Sequence, residues 1–224
     1  QSADLFISGR NKNRIYNWRA NVARVTGALS FKAGYQGNLL GDIRNTNRAP
    51  NNLQYRVNNG VPNQLTMFIN NYPNDLWMRT DSLYLQGQWT RSRLTVQGAL
   101  RYDKAWSWSP VQQVGPAEFF PNPVTFPKTP LVDSFNDIGP RVSVVYDLFG
   151  NGKTAVKGTF GRYLEAAFTG RRYAFANPTS RIPSSVSRAW TDVDRDWVAD
   201  CDLLNPNAQD LRATGGDVCG AYSN

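Results

Sequence analysis

Residues 81–103 read DSLYLQGQWTRSRLTVQGALRYD. Taken with period two, Leu83, Leu85, Gly87 and Trp89 point one way, and Tyr84, Gln86 and Gln88 the other. After a tight polar turn at Arg91-Ser92 the alternation resumes. Leu94, Val96, Gly98, Leu100 and Tyr102 share one face, and Thr95, Gln97, Ala99, Arg101 and Asp103 the opposite one. Side chains of a strand alternate between its two faces, so the pattern predicts a β-hairpin of two strands, each about ten residues long. Soluble sandwiches use strands nearer five or six residues.

Working outward, the same design recurs on both sides. Tyr16, Trp18, Ala20 and Val22 alternate with Asn17, Arg19 and Asn21; a turn at 24–27 leads to Leu29, Phe31, Ala33 and Tyr35 alternating with Ser30, Lys32, Gly34 and Gln36. Downstream, Pro140, Val142, Val144, Tyr146 and Leu148 oppose Arg141, Ser143, Val145 and Asp147; a turn at 148–153 precedes Val156, Gly158 and Phe160. Three short turns (24–27, 90–93, 148–153) thus alternate with long connections (37–80, 104–138, and 164 onward). Short turns on one side and long loops on the other, with one apolar and one polar strand face, are features of an outer-membrane barrel. Arg19, Lys32, Arg101, Arg141 and Lys157 all fall on the polar face, as a lipid-facing wall demands, since a mid-depth Arg or Lys there costs roughly 2–4 kcal/mol. Arg162 breaks the pattern at a strand end, where it can snorkel.

The connections differ in character. Within 37–80, two shorter strand-like pieces at 53–57 and 64–69 flank Asn58-Asn59-Gly60, and an Asn-Gly step is the strongest short hairpin signal. The connection 104–138 holds Trp106, Trp108, Phe119, Phe120 and Phe126 among six prolines, a density that argues against central strands. The tail, 164–224, has little periodicity.

Composition narrows the function classes. The chain has 224 residues, a formal charge of +8 and no histidine. Its mean hydropathy is −0.50, and no stretch approaches the ~18 apolar residues of a membrane helix; a barrel needs no such stretch, because only alternate residues meet lipid. Without histidine, Ser-His-Asp, Cys-His and His-zinc sites are excluded within these residues. Basic residues are scattered, with Arg171-Arg172 the single adjacent pair, so no nucleic-acid partner is expected. A lumen lining and the acidic lipopolysaccharide surface both accommodate such charge. The N-terminal residues show no signal peptide, which suggests a mature or internal piece.

Three motifs carry a family resemblance. SLYLQGQWTRSRLTVQGALRYD (82–103) resembles the Y-x-Q-D-x-W … L-T-x-x-x-G-x-R-Y-D hairpin of TonB-dependent outer-membrane receptors. FNDIGPRVSVVYDLFGNGKTAVKGTFGRYLEA (135–166) resembles the next hairpin of that family, and GALSFKAGYQ (27–36) is similar to an earlier G-x-H-S-x-K-x-G-Y strand, with Leu29 where His is common. The nearest likeness is to the Oar-like branch, which carries a carboxypeptidase-regulatory-like domain. The resemblance implies a middle segment of an antiparallel transmembrane β-barrel, here about six strands over 1–163 with long extracellular loops at 37–80, 104–138 and 164–224; no plug domain, which members of that family carry, is visible in these residues. It also implies uptake of an unknown extracellular ligand, energised by the TonB complex through other parts of the parent protein, and no enzyme activity. Lipid and lipopolysaccharide are then the surrounding partners.

The tail carries two further candidates. Asp192, Asp194 and Asp196 stand at positions 1, 3 and 5 of a calcium-type loop, with the Val198 carbonyl at position 7 and Asp200 at position 9. Trp197 replaces the usual glycine and Leu203 the bidentate Glu, for which Asp202 can substitute. A calcium site stands against a solvated acidic turn. Cys201 and Cys219 are the two cysteines; in an extracellular setting a disulfide is expected, against two free thiols. The competing reading of the whole is a secreted β-rich adhesion or carbohydrate-binding module held by calcium and this disulfide. It requires a second sheet over the apolar face, for which the sequence offers no obvious spare strands.

Overall fold

A computed structural model describes residues 7–48, 52–165 and 176–223; the Arg171-Arg172 pair lies outside them. The strands in chain order are β1 (Ile7–Thr26), β2 (Leu29–Arg48), β3 (Leu53–Asn58), β4 (Val61–Phe68), β5 (Tyr72–Pro73), β6 (Leu76–Arg91), β7 (Leu94–Ser109), β8 (Gln112–Val114), β9 (Val124–Phe126), β10 (Thr129–Asp147), β11 (Ala155–Gly161), β12 (Ser185–Thr191), β13 (Gln209–Asp210) and β14 (Val218–Cys219). No α-helix occurs among the described residues.

The three expected hairpins, β1–β2, β6–β7 and β10–β11, lie side by side in one antiparallel sheet of order β1-β2-β6-β7-β10-β11, with β5 added against β2. Register confirms the face assignment. Leu83 stands opposite Tyr35 and Tyr102, Leu85 opposite Ala33 and Leu100, and Trp89 opposite Leu29 and Val96. Directly opposed residues share a face, so the apolar sets of successive strands merge into one surface. On β7 that surface runs from Leu94 to Tyr102, about 27 Å at the rise of an extended chain. It is uncovered: Val22 is 70% exposed, Leu85 55% and Phe160 73%.

The strands exceed their expected lengths. β2 continues to Arg48, β6 begins at Leu76, β7 reaches Ser109 and β10 begins at Thr129, all inside the stretches read as loops. Backbone pairing persists there, while the strict apolar alternation stops beyond Tyr102 because nothing in water requires it. The first turn lies at Gly27-Ala28 rather than 24–27, with Thr26 paired to Leu29 and Gly27 at φ +54. Proline does not exclude strand from the region around 104–138 as expected. Pro130 pairs with Trp108 beside a bulge, where the ladder is already interrupted. Pro140 accepts from the Arg162 backbone N–H but has no N–H to return, and β11 stops at Gly161 for that reason.

Relative to these rows of opposed residues, the turns step downward from β1–β2 to β10–β11. Thr26–Leu29 is the last pair of its hairpin, whereas the same row continues through Trp89, Val96 and Val144 to Gly158 before β11 reaches its turn-side end at Ala155. The rows are therefore slanted, as tilted barrel strands require. The slant places Arg24, on the apolar side of β1, near the turn side, and Arg162, at the other edge, near the loop side, where it pairs with Asp137 at 3.1 Å.

The tail and the first long connection build a second sheet, contrary to the expectation of no spare strands. Its order is β13-β14-β12-β4-β3. β3 and β4 meet at Asn59 (φ +51) and Gly60 (φ +82), the left-handed pair that the Asn-Gly step predicts. Ser185–Ala189 then pair with Gln64–Phe68, joining segments far apart in sequence. This lobe leaves the apolar face exposed. Its own core is Leu65, Trp190, Cys201 and Cys219, with Leu53, Tyr55, Ala199 and Leu203 against it.

Inside the lobe lies one fully buried cation. Arg188 donates from Nε to the Gly220 carbonyl (2.9 Å), from Nη1 to Asp202 (3.3 Å), and from Nη2 to Asn205 (3.1 Å) and Asn207 (2.7 Å), and it lies over the Tyr222 ring. Burial lowers its pKa, yet a guanidinium remains charged. Its fork gathers four backbone carbonyls of the tail that lie outside the strands, of which that of Asp202 also accepts from Asn205 N–H and Gln209 Nε2. Arg188→Lys keeps the charge but cannot reach carbonyls so dispersed, and is expected to destabilise the lobe by about 3 kcal/mol. Limited proteolysis checks this: cleavage within 198–222 rises while the six-stranded sheet stays resistant.

Candidate functional site

Three regions carry chemistry: the polar face of the large sheet, the junction above it, and the acidic turn. The polar face presents Arg19, Lys32, Arg101 and Arg141 around a recess of about 210 Å³, with Gln36, Tyr84 and Gln86. Arg101 donates through Nε to both Asp103 oxygens at 2.9 Å, and Arg19 reaches Gln36 Oε1 at 3.3 Å. Arg141 stacks on Tyr163 at 4.4 Å. Tyr84 lies flat across Gly34, where a Cβ would come within 2.5 Å of its ring; only glycine leaves that space. The wall is polar with an excess of cations, suited to water and anionic solutes rather than to lipid.

At the loop side this face is closed over. Met78, Leu76, Ser107 and Ser109 are buried although they continue the polar row. Asn177 holds the tail there. Its amide donates to Asn74 Oδ1 (2.7 Å) and to the Asp75 carbonyl (3.1 Å), and its Oδ1 accepts from Gln112 Nε2 (3.0 Å) and from Thr179. The Tyr72 hydroxyl donates toward the Thr179 and Ile182 carbonyls. The lobe is thus fastened onto the base of β6 by a nearly dry polar network. Asn177 before Pro178 is a local cap signal that the sequence reading passed over; its role at the junction was not legible, because the partners it holds there lie 65 to 103 residues away.

The acidic turn is only partly as expected. Asp192 and Asp194 come together, and with Asp217 their carboxylate oxygens lie within 4.8 Å of one another. Asp196 Oδ1 instead accepts from the Val198 N–H (2.7 Å), and Asp202 Oδ1 from the Leu204 N–H (3.0 Å). Neither of these, nor Asp200, joins the cluster. The chain bends through Arg195 and Trp197, both at φ +65, so Trp197 adopts the backbone that glycine would favour. Asp217 is fully buried, accepting from Trp190 Nε1 (2.8 Å) and Val193 N (2.9 Å). The Asp196 N–H is the strongest influence on the Asp194 carboxyl and lowers its pKa; desolvation, the Asp196 and Asp200 charges and a hydrogen bond with Asp192 together outweigh it, so the net shift is upward.

Cys201 and Cys219 form the expected disulfide. That link is also the signal by which Asp217 could have been found, since tying Cys219 to Cys201 carries Asp217 to the Asp200 backbone (3.4 Å). A bridge across 18 residues stabilises a chain by about 3 kcal/mol through loss of loop entropy. Cys201→Ser/Cys219→Ser is expected to lower the unfolding midpoint of the lobe, followed by Trp fluorescence, and to leave the large sheet unchanged.

The sequence profile of a family described as Outer membrane beta barrel domain matches residues 7–206. No curated protein and no solved structure matches the chain.

Proposed function

Because the chain belongs to the outer membrane beta barrel domain family and so resides in the outer membrane, we propose that it forms part of the wall and outer mouth of a TonB-dependent receptor of the Oar-like branch, working by binding and uptake rather than by catalysis. The carrying observation is the pairing of an uncovered apolar face with a cationic polar face whose loop-side end is roofed by a disulfide-bonded lobe. A face so apolar finds its solvent in lipid, the polar face lines the lumen, and the lobe on the long-loop side receives the extracellular ligand. Anionic ligands match the lumen wall. Among the described residues β1 and β11 do not pair with each other. Open edges are not viable in hydrocarbon, so further strands complete the wall. The secreted-module alternative would require the apolar face to be covered, and the lobe sheet does not cover it.

Membrane fractionation of the native protein tests this reading. Recovery only in detergent, with a gel band that shifts on boiling, is expected; a protein released without detergent overturns the barrel. Crosslinking in cells tests the finer part, since an outer-membrane protein never recovered with the TonB protein overturns TonB dependence while leaving the barrel intact. A face-swapped pair adds a quantitative check. Leu85→Arg is expected to cost roughly 2–4 kcal/mol and to deplete the folded band, whereas Gln86→Arg, one residue on and facing the lumen, is expected to be tolerated.

The acidic turn fits the same extracellular setting as a calcium site formed by Asp192, Asp194 and Asp217. Carboxylates offer about four lone-pair sites each, so Asp217 can keep its hydrogen bonds and still ligate. The elevated Asp194 pKa means its ionised form is disfavoured without a cation; calcium relieves that, and protons compete as pH falls through that pKa. Calcium is expected to raise the unfolding temperature of the lobe at neutral pH, less at acidic pH, and not in Asp194→Asn.

A further inference from the structure

Just beyond the loop-side end of the apolar face, the same outward side changes character. Beyond Leu83 and Tyr102 the outward positions are Asp81, Arg79, Lys104, Trp106 and Trp108. Lys104 is one outward position past Tyr102, about 7 Å along the strand, and Trp108 two positions further. The Arg79 guanidinium sits between the Trp18 ring (5.6 Å) and the Trp106 ring (5.4 Å). Lys104 lies 5.5 Å from the Trp106 ring and Lys128 5.3 Å from Trp108. Arg79, Trp106, Trp108, Lys128 and Pro130 line a recess of about 390 Å³.

Asp81 is the one carboxylate among these outward strand positions, and it is already engaged. It accepts from the Tyr35 hydroxyl (2.5 Å) and from Arg79 Nη2 (3.3 Å), and forms an ion pair with that guanidinium, Nε lying 3.0 Å from Oδ2. That contact orients Arg79 and leaves other guanidinium N–H groups for a second acceptor, since arginine carries five. Lys104 and Lys128 are exposed. Directly below, the apolar face is not flat. Ala20, Val22 and Ala33 are small beside Leu83, Leu85 and Tyr102, and together they line an open furrow of about 630 Å³. The order along the wall is therefore an apolar furrow, then tryptophans interleaved with three cations: Lys104 and Arg79 at the Trp106 ring and Lys128 at the Trp108 ring.

We propose that this is a seat for one lipid A moiety of lipopolysaccharide, with acyl chain in the furrow, glucosamine against Trp106 and Trp108, and phosphate on Arg79, Lys104 and Lys128. The proposal rests on the outer-membrane orientation above. An aromatic girdle alone would account for the tryptophans. It does not account for three cations lying over two neighbouring rings, Arg79 and Lys104 at Trp106 and Lys128 at Trp108; a basic cluster at an interface attracts an anionic headgroup. Multivalent phosphate bound to the wall would also fasten the outer leaflet around the mouth.

The test uses the full native protein purified in detergent, with diphosphoryl lipid A, dephosphorylated lipid A and phosphatidylglycerol as probes, read by native mass spectrometry and by titration. Diphosphoryl lipid A is expected to bind most tightly, and Arg79→Gln/Lys104→Gln/Lys128→Gln to weaken it about 100-fold, at the contribution usual for one cation near an anionic surface. Equal affinity for the dephosphorylated lipid, or an unchanged triple variant, overturns the seat. Equal affinity for phosphatidylglycerol overturns it too, because the contact is then with any acidic lipid. A heat-shifted gel band confirms that the variant is folded; should it not fold, Lys128→Gln, outside the strands, is expected to weaken binding about five-fold and no change overturns the seat. A native protein lacking that heat shift would instead overturn the barrel reading beneath it.

Discussion

The constraint on which the structure depends is that a backbone in hydrocarbon must satisfy every N–H and C=O within the protein. Six neighbouring antiparallel strands meet it across their paired stretches, with β1 and β11 at the edges of the order. Once the backbone is paired, the side chains are free to differ by face, and they do: Leu83, Leu85, Leu100 and Val142 on one, Lys32, Gln86, Arg101 and Arg141 on the other. The same ladder carries past the apolar band into the long connections, where it becomes a scaffold rather than a wall.

The lobe obeys different physics. It is small, its strands are short, and its apolar core is little more than Leu65, Trp190 and the disulfide. Stability comes instead from specific polar contacts: Arg188 among four carbonyls, Asp217 beneath Trp190, and Asn177 at the junction. Buried polar groups so fully satisfied fix one arrangement more sharply than apolar packing does. A lobe fixed in this way can hold a binding surface over a lumen while the barrel beneath answers only to lipid.

Between wall and lobe lies the interfacial row of Trp18, Tyr35, Tyr102, Trp106 and Trp108. Trp18 lies over Gly37, where a Cβ would meet its ring at 2.1 Å; a larger residue there would push the ring off the wall. Its indole N–H reaches the Tyr35 hydroxyl at 3.2 Å, which in turn donates to Asp81. The rings stand at the level where hydrocarbon gives way to headgroups, and the polar edges of Trp18, Tyr35 and Tyr102 are hydrogen-bonded.

The amino-acid sequence by itself determined the three hairpins, their faces and the Asn59-Gly60 turn. Period-two alternation is a local property, and lipid enforces it residue by residue. It also raised the disulfide as the expectation for two cysteines in an extracellular setting, which the structure bears out. It under-measured β2, β6, β7 and β10, because beyond the bilayer no solvent contrast marks a strand, and Pro130 misleads where a bulge absorbs it. Only the tertiary structure decided that β12 joins β4, that Asp217 rather than Asp196 completes the acidic cluster, and that Asn177 and Arg188 are structural centres. Each depends on hydrogen bonds between residues distant in the chain, and such pairings leave no period for a sequence to display.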